Sequence, residues 1–249
     1  FPEMGKKVDF VMTTNATMLN DEIIDWLNAH RFGLSVSMDG PKAVHDKNRI
    51  TVGGQGTYHV VRRKALRLLE RYDSRPIGAR VTLTHGTTEV ENIWDHLFND
   101  MGFSEVGFAP VTSGDISDYN LTSEELQEIF AGMKRLGEHY LEAALEHRNI
   151  GFSNMHQLIT DLHEGHKKAL PCGAGLKMLA VDHEGDLNLC HRFTGSDMPT
   201  FGNVSNGGVQ QAELGDFLSK RLDRTDTGCA TCRIRNLCSG GCYHESYAR

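Results

Sequence analysis

The chain has 249 residues, 39% of them hydrophobic and 24% charged, which is enough to bury a core in one large domain or two modest ones. Its formal net charge of −7 provides no broad basic field, which argues against a nucleic-acid partner. No apolar run approaches the ~20 residues that cross a bilayer, and the opening segment Phe1–Lys7 has no signal-peptide pattern. We therefore expect a cytoplasmic protein with no membrane partner. The start at Phe1, without an initiator Met, also leads us to expect further sequence upstream.

Short β-rich runs alternate with helix-like stretches over about the first hundred residues, a pattern that predicts an α/β fold with a parallel sheet and helical crossovers. The predicted strands are Val8–Thr13, Gly33–Ser37, Arg80–Thr84 and Ser104–Ala109. Three helices are predicted between these strands. The first begins after the cap residue Asn20, the second covers Val60–Leu69, and the third spans about Glu89–Met101 and ends before Gly102. The segment Met38–Thr57 is predicted as a loop because it holds the turn-forming runs Asp39-Gly40-Pro41 and Gly53-Gly54-Gln55-Gly56.

A more helical region follows. Thr122 and Glu125 have the spacing of a capping box, which predicts the start of a helix. Its predicted core stripe is Leu126, Ile129, Phe130, Met133, Leu136 and Leu141. A second predicted helix, Met155–His166, carries three histidines, His156, His163 and His166. Solvated histidines are the favoured interpretation, and a metal site is the alternative, because no carboxylate or Cys stands in register.

All six cysteines lie between residues 172 and 242, and the first 171 residues contain none. They are Cys172, Cys190, Cys229, Cys232, Cys238 and Cys242. A disulfide scaffold is disfavoured because such scaffolds belong to short secreted domains. Cys229-Ala-Thr-Cys232 places two thiolates within reach of one metal, which indicates a metal site. Zinc and an iron–sulfur cluster both use four thiolates, and the spacing within Cys229–Cys242 does not separate them.

The full spacing is C-x(12)-G-x(4)-C, a gap, then C-x(2)-C-x(5)-C-x(3)-C, with Gly185 as the glycine. It resembles the SPASM motif of radical S-adenosylmethionine enzymes, in which the first interval is C-x(9–15)-G. The resemblance implies two auxiliary [4Fe–4S] clusters with interleaved ligands. Cys172, Cys190 and Cys242 would hold the first cluster, and Cys229, Cys232 and Cys238 the second. The family motif ends with a seventh Cys that this sequence does not contain. Some relatives use a further Cys in the first cluster, at the place of Met178 here, which implies an open iron or a ligand from outside the chain.

The N-terminal half independently resembles the later strands of the partial barrel of the same family. The matching runs are Thr14-Asn15, Ser35-Val-Ser37-Met-Asp39-Gly40-Pro41, His45-Asp46-Lys-Asn-Arg49, Gly53-Gly-Gln-Gly-Thr57 and Arg80-Val-Thr82. Ligands of such sheets bind at the carboxyl ends of the strands. The resemblance implies that S-adenosylmethionine contacts Asn15, Ser37, Asp39 and Arg49, with Arg49 as a partner of its carboxylate. An ordinary turn after Ser37 and a surface charge at Arg49 are the alternatives.

Together the two resemblances imply the later strands of a partial (β/α)6 radical S-adenosylmethionine barrel, a helical linker and a Cys-rich SPASM domain. The predicted boundaries are 1–112, 113–168 and 169–249. The family's C-x-x-x-C-x-x-C motif, which holds the catalytic [4Fe–4S] cluster, is expected before Val8 together with the first two strands. We therefore expect that this polypeptide alone does not cleave S-adenosylmethionine.

The residue after the second motif cysteine is His191, where sulfatase maturases of the family carry an Asp. Cys190-His-Arg-Phe193 and Phe201-Gly-Asn-Val204 resemble maturases that form thioether cross-links, above all the maturation proteins of quinohemoprotein amine dehydrogenase. The resemblance implies an oxidoreductase that modifies a peptide or small protein and uses a reducing electron donor. His191 would be an active-site base or a hydrogen-bond donor to a cluster sulfur. The alternatives are a sulfatase-type maturase that forms formylglycine and a non-catalytic, zinc-stabilised peptide-binding module.

Overall fold

The computed structural model describes Gly5 and residues 7–111, 117–223 and 228–247. It divides into two compact units, unit 1 with residues 1–159 and unit 2 with residues 160–249. The start of the chain at Phe1 and the boundary predicted between residues 112 and 113 lie outside the described residues. Among the described residues, no helix is long and apolar enough to cross a bilayer.

Unit 1 is built on a four-stranded parallel sheet whose strands are neighbours in chain order. The strands are β1 (Val11–Thr14), β2 (Gly33–Ser37), β3 (Ile77–Leu83) and β4 (Glu105–Pro110). The helices between them are α1 (Asp21–Ala29), α2 (Lys42–Asn48), α3 (Tyr58–Arg71) and α4 (Val90–Asp95). The register pairs Val11 with Gly33, Leu34 with Ile77 and Gly78 with Glu105. The predicted α/β fold is confirmed, and the carboxyl ends of all four strands lie at one edge of the sheet.

Helices α1 and α3 bury apolar stripes in the core of unit 1. As predicted, α1 begins after Asn20, whose side-chain oxygen accepts the Ile23 N–H at 2.9 Å. The buried residues are Ile24 and Leu27 of α1, and Tyr58, Val61, Ala65 and Leu68 of α3. Both helices also carry an apolar residue at the margin of the stripe that the sequence would favour as buried, but Ile23 and Val60 are 38% and 40% exposed.

Helix α2 corrects the sequence prediction, which treated this region as a loop. Pro41 stands at its N-cap, where a missing N–H costs nothing, and the helix contains no glycine. The turn that follows needs a glycine at Gly56, because a Cβ there would lie 2.0 Å from Asp46 Cγ. The Asp46 carboxylate accepts the Tyr58 N–H at 2.8 Å and thereby caps α3. The turn between α2 and α3 therefore depends on both the glycine and the carboxylate.

The predicted helix before Gly102 forms in two parts. Helix α4 is followed by a π-helical turn, His96–Asp100, which the sequence did not predict. The chain then leaves the helix at Gly102 with a φ of +83°, as expected for a glycine at this position.

Helix α5 (Ser123–Leu145) opens with the predicted capping box. Thr122 Oγ1 accepts the Glu125 N–H at 3.2 Å, and the Glu125 carboxylate accepts the Thr122 N–H at 2.9 Å. The predicted core stripe is wrong at Phe130 and Leu141, which are 69% and 56% exposed. The next helix, α6 (Ser153–His163), begins earlier and ends earlier than the sequence predicts.

The described part of unit 2 has two short hairpins and three further helices. They are β5 (Ala180–Val181) with β6 (Leu187–Asn188), β7 (Gly202–Asn203) with β8 (Gly208–Val209), α7 (Gln211–Leu222), α8 (Arg235–Cys238) and α9 (Tyr243–Tyr247). Their small core comprises Ala174, Leu189, Cys190, Phe193, Phe201, Leu214 and Tyr243. Gly185, the glycine of the cysteine motif, turns the first hairpin with a φ of +85°. The motif therefore requires a glycine at this position for a backbone reason.

Candidate cofactor and cluster sites

Polar residues follow the carboxyl ends of β1 and β2, at the edge where parallel sheets bind ligands. Asn15 follows β1, and its side-chain oxygen accepts the N–H (3.1 Å) and the hydroxyl (2.8 Å) of Thr17. Ser37, the last residue of β2, is half-buried, and its hydroxyl has no hydrogen-bond partner among the described residues. Asn15 thus closes its own turn, whereas Ser37 keeps a hydroxyl that can bond a ligand.

Asp39 and Arg49, both predicted as cofactor contacts, form a bidentate ion pair with each other. Arg49 Nε lies 2.6 Å from Asp39 Oδ2, and Arg49 Nη2 lies 2.9 Å from Asp39 Oδ1. Asp39 Oδ1 also accepts the Thr82 N–H of β3 at 2.9 Å. Asp39 is buried, whereas 26% of the Arg49 side chain is exposed. The pair therefore ties α2 to the sheet and leaves part of the Arg49 side chain exposed.

His45 stands behind this ion pair, fully buried in α2. Its Nδ1 accepts the Asp39 N–H at 3.3 Å, and its Nε2 lies 3.1 Å from Thr57 Oγ1. The Thr57 hydroxyl donates to the Arg49 carbonyl at 2.7 Å, so the ring must donate from Nε2 as the neutral tautomer. Burial lowers the pKa of His45 to about 4, which keeps it neutral at physiological pH.

No role was predicted for His45 or Thr57, although both lie in the runs that carry the family resemblance. The spacing of His45 and Arg49, four residues apart, would place them on one helix face. That signal is readable only once α2 is recognised as a helix. Thr84, expected at the end of β3, is buried and already accepts a hydrogen bond from Asn48 Nδ2 at 2.7 Å.

A cavity of about 510 Å³ opens on the face of β3 and β4 that carries Arg80 and Glu105. The Arg80 and Glu105 side chains lie beside each other, with 3.3 Å from Nη2 to Oε1. Gly107 leaves room for the guanidinium, because a Cβ there would lie 2.2 Å from Arg80 Nη1. Ser153 and Asn154 of α6 line another side. The cavity thus offers both charges and neutral polar groups to a ligand.

The six cysteines of unit 2 were expected to hold two clusters. None of them forms a disulfide. The described side chains do not bring three or more Cys, His, Asp or Glu residues together as a formed metal site. The chemistry of the donor set nevertheless fits iron–sulfur clusters, which use Cys thiolates as their protein ligands.

The chain segments after Cys190 and Cys242 contact each other. Arg192 Nη1 lies 3.7 Å from Cys242 Sγ, within the range of a hydrogen bond to sulfur. The ring of Phe193 packs edge-on against His244, with 5.2 Å between centroids. Cys190 and Cys242, which are 52 positions apart in the chain, therefore belong to one neighbourhood.

Cys172 approaches the same core through the turn that follows it. Ala174 is buried in the apolar cluster that contains Cys190. Gly175 lies so close to Leu189 that a Cβ would be 2.7 Å from Leu189 Cδ1. Segments around three of the predicted ligands thus meet at one small core.

Cys229, Cys232 and Cys238 lie on a separate, local turn. The Cys232 N–H donates to the Cys229 carbonyl at 3.2 Å, and the Cys238 N–H donates to the Ile234 carbonyl at 2.9 Å. The turn is held by a Lys168 N–H that donates to the Asn236 carbonyl at 2.8 Å. Cys232 and Cys238 are exposed and Cys229 is half-buried, in contrast to the buried Cys190.

The predicted histidines occupy different surroundings. His191 is exposed in the short 3₁₀ turn after Cys190. His156 lies 3.1 Å from the Tyr140 hydroxyl, and His166 pairs with Glu164 at 3.1 Å. Within the described residues, the histidines of α6 and the turn after it do not assemble into a metal site.

No protein-family model matches the chain. It is 20% identical over 250 residues to the cysteine-type anaerobic sulfatase-maturating enzyme of Clostridium novyi, covering 94% of this chain and 64% of that enzyme. The enzyme of the same description from Clostridium perfringens strain 13 is 22% identical over 241 residues, covering 93% and 63%. The chain therefore spans less than two thirds of the length of these curated relatives.

Two solved structures match the fold. Native anSMEcpe with bound AdoMet and the Cp18Cys peptide matches with a TM-score of 0.80 at 21% identity, covering 97% of this chain and 68% of that one. Streptococcus suis SuiB bound to its precursor peptide SuiA matches with a TM-score of 0.66 at 14% identity, covering 97% and 56%. The chain has the fold of radical S-adenosylmethionine enzymes with a SPASM domain. The resemblance predicted from the cysteine pattern and the strand ends is confirmed at the level of the fold.

Proposed function

We propose that the intact protein is a radical S-adenosylmethionine maturase that oxidises a side chain of a peptide or small protein. The observation that carries this proposal is the match of 97% of the chain to structures whose names record bound AdoMet or a bound peptide. Residues 1–112 would be the later part of the barrel, 113–168 a helical connection and 169–249 the auxiliary-cluster domain.

Ser37 and Arg49 are the residues we propose to bind S-adenosylmethionine, at the carboxyl edge of the sheet. The Arg49 guanidinium suits a carboxylate because it can donate two parallel hydrogen bonds. The side-chain oxygen of Asn15 accepts hydrogen bonds from Thr17, so the side-chain NH₂ group is the donor that Asn15 can offer to a ligand. S-adenosylmethionine bound at these residues would supply, after cleavage by one electron from the catalytic cluster, a 5′-deoxyadenosyl radical able to take a hydrogen atom from a carbon of the peptide.

We propose that Cys172, Cys190 and Cys242 hold the first auxiliary [4Fe–4S] cluster. The packing of their three segments around one core supports this grouping. Cys229, Cys232 and Cys238 would hold the second, which their common local turn supports. Arg192, beside Cys242 Sγ, would donate to the thiolate in the first site.

The product class has two candidates. The pair Cys190-His191 favours thioether formation by its resemblance to cross-linking maturases, with His191 as an exposed base or a donor to a cluster sulfur. The sulfatase-maturating relatives favour oxidation of a Cys to formylglycine instead. We propose the first and retain the second because the relatives support it.

The test offers the intact, anaerobically prepared enzyme two peptides, one with a Cys and an acidic residue and one with a sulfatase sequence. Thioether formation removes two hydrogens and blocks alkylation of the Cys. Formylglycine reacts with a hydrazine probe, and a thioether does not. We expect the cross-linked product, and formation of the hydrazone alone would assign the chain to sulfatase maturation. If neither peptide leads to the formation of 5′-deoxyadenosine, the maturase proposal is rejected.

A further inference from the structure

The carboxylate of Asp39 is largely occupied by hydrogen bonds within the protein. Its two oxygens accept from Arg49 Nε, Arg49 Nη2 and the Thr82 N–H, at 2.6, 2.9 and 2.9 Å. The residue is only 4% exposed. A second carboxylate beside it would be repelled by its charge. Asp39 is therefore badly suited to the direct contact that the sequence assigns to it.

Arg49 has the complementary property. A guanidinium carries five N–H groups, and here Nε and Nη2 donate to Asp39. Nη1 has no partner among the described residues, and 26% of the side chain is exposed. An arginine whose plane is already fixed by a bidentate carboxylate loses little entropy when it binds another anion. The geometry suits a rigid receptor for a carboxylate.

His45 holds both members of the pair through the backbone. It accepts the Asp39 N–H, and through Thr57 it is linked to the carbonyl of Arg49. The Arg49 N–H in turn donates to the His45 carbonyl at 3.0 Å. A buried ring with both nitrogens engaged cannot rotate without breaking these bonds.

We propose that Asp39 and His45 are positioning residues, which hold the Arg49 guanidinium at the carboxyl edge of the sheet so that Arg49 alone of the three binds the carboxylate of S-adenosylmethionine. The proposal rests on the proposed function, because it concerns the same cofactor. It replaces direct contact by Asp39 with an indirect role, and it gives His45 a role that the sequence did not assign.

The test is a double-mutant cycle in the intact enzyme, read as the dissociation constant of S-adenosylmethionine by calorimetry. Asp39→Asn and Arg49→Met should each weaken binding about tenfold or more. If Asp39 acts through Arg49, Asp39→Asn should have no further effect in the Arg49→Met protein. Additive losses would show a direct contact and overturn the proposal, as would an unchanged constant in Asp39→Asn alone.

Two controls keep the cycle decisive. Asp46→Asn changes a poorly exposed carboxylate of α2 that pairs with Lys42 rather than with Arg49, and it should leave the dissociation constant unchanged. If Asp39→Asn fails to fold by circular dichroism, His45→Gln provides the same cycle, since it removes the acceptor for the Asp39 N–H and the donor to Thr57 but leaves Asp39 and Arg49 unchanged. His45→Gln should weaken the binding of S-adenosylmethionine when Arg49 is present, and it should have no further effect in the Arg49→Met protein. A wild-type enzyme that binds no S-adenosylmethionine would reject the proposed function, whereas binding with additive losses rejects only the positioning roles.

Discussion

At the scale of single residues, the burial of His45 couples the stability of unit 1 to pH. Its folded-state pKa of about 4 lies below the ordinary value of 6.5, mainly because burial disfavours the imidazolium, with Asp39, Arg49 and Asp46 as the nearby charges. Between these two values the unfolded chain binds the proton and the folded chain does not. The stabilisation is therefore complete above about pH 6.5 and is lost as the pH falls towards 4.

We expect the free energy of unfolding of unit 1 to drop by up to about 3 kcal/mol over this pH window. Urea titrations at a series of pH values measure it, and His45→Gln is the matched variant. The variant should be less stable at neutral pH but should lose much less stability between pH 6.5 and 4. A variant with the slope of the wild type would show that another group titrates.

Local capping at this scale was predictable from the sequence, whereas the polar partners were not. Asn20 and the pair Thr122 and Glu125 could be assigned because a cap depends on residues within one turn of the helix. The pairing of Asp39 with Arg49 could not, because it requires both the helix α2 and the neighbouring strand β3. A charged residue at the end of a strand, such as Asp39, suggests a ligand contact when only the sequence is known. The structure shows that an opposite charge of the same chain, Arg49, is its partner.

At the scale of elements, the start of α5 depends on Glu125. Its carboxylate accepts the Thr122 N–H at 2.9 Å and the Gly86 N–H at 2.5 Å, and it lies 3.0 Å from His85 Nδ1. The pKa of Glu125 is lowered to about 2, mainly by the two backbone N–H groups and to a smaller extent by His85. Glu125→Ala should cost about 2 kcal/mol at pH 7.

The stabilisation that the Glu125 carboxylate provides depends on pH. Because the folded pKa lies below the ordinary 4.5, the stabilisation is present above pH 4.5 and is lost as the pH falls towards 2. Thermal melts of Glu125→Ala should therefore converge with the wild type at low pH. Glu124→Ala, an exposed neighbour, is the control and should change the melting temperature little at any pH.

The junction between α2 and α3 gives a second prediction for elements. A Cβ at Gly56 would overlap the Asp46 carboxylate and displace it from the Tyr58 N–H. Gly56→Ala should therefore cost about 2–3 kcal/mol through lost capping and strain. Gly53→Ala, whose Cβ would meet no atom closer than 3.3 Å, should cost much less. Chemical denaturation of the two variants measures the difference, and equal losses would contradict the account of this turn.

The elements that the sequence missed share a physical cause. Helix α2 has only seven residues and follows Gly40-Pro41. Because the turn-forming residues are a stronger signal in the sequence than so short an apolar pattern, the segment is predicted as a loop. The π-helical turn after α4 is a local register change that carries no propensity signal of its own. The strands and long helices were predictable because their periodicity extends over several residues.

At the scale of the whole molecule, the division of the cysteines predicts unequal effects of their removal. Cys242→Ala should remove about half of the auxiliary iron and lower the melting temperature of unit 2, because it joins segments that are distant in the chain. Cys238→Ala should remove a similar share of iron with a smaller change in melting temperature, because its turn is local. Iron analysis and calorimetry of the two variants test this. Loss of one and the same cluster in both would show that the ligand division is wrong.

The family-level fold was predictable because the cysteine spacing is specific, whereas the cysteine geometry was not. A pattern of six cysteines and a glycine fixes the order of the ligands along the chain. It contains nothing about Arg192 beside Cys242, since that contact depends on how two remote segments pack. In the proposed reaction the product class would depend on few side chains, which is why the resemblance at His191 and the curated relatives favour different products.

The most direct test of the account is the metal and sulfide content of the chain after anaerobic reconstitution with iron and sulfide. Two auxiliary clusters predict a brown protein with about eight iron atoms and about as many acid-labile sulfides, fewer if the second cluster is labile. Replacing all six cysteines by Ala should abolish both. A colourless protein that retains zinc and takes up no sulfide would contradict the account and favour a zinc-stabilised binding module.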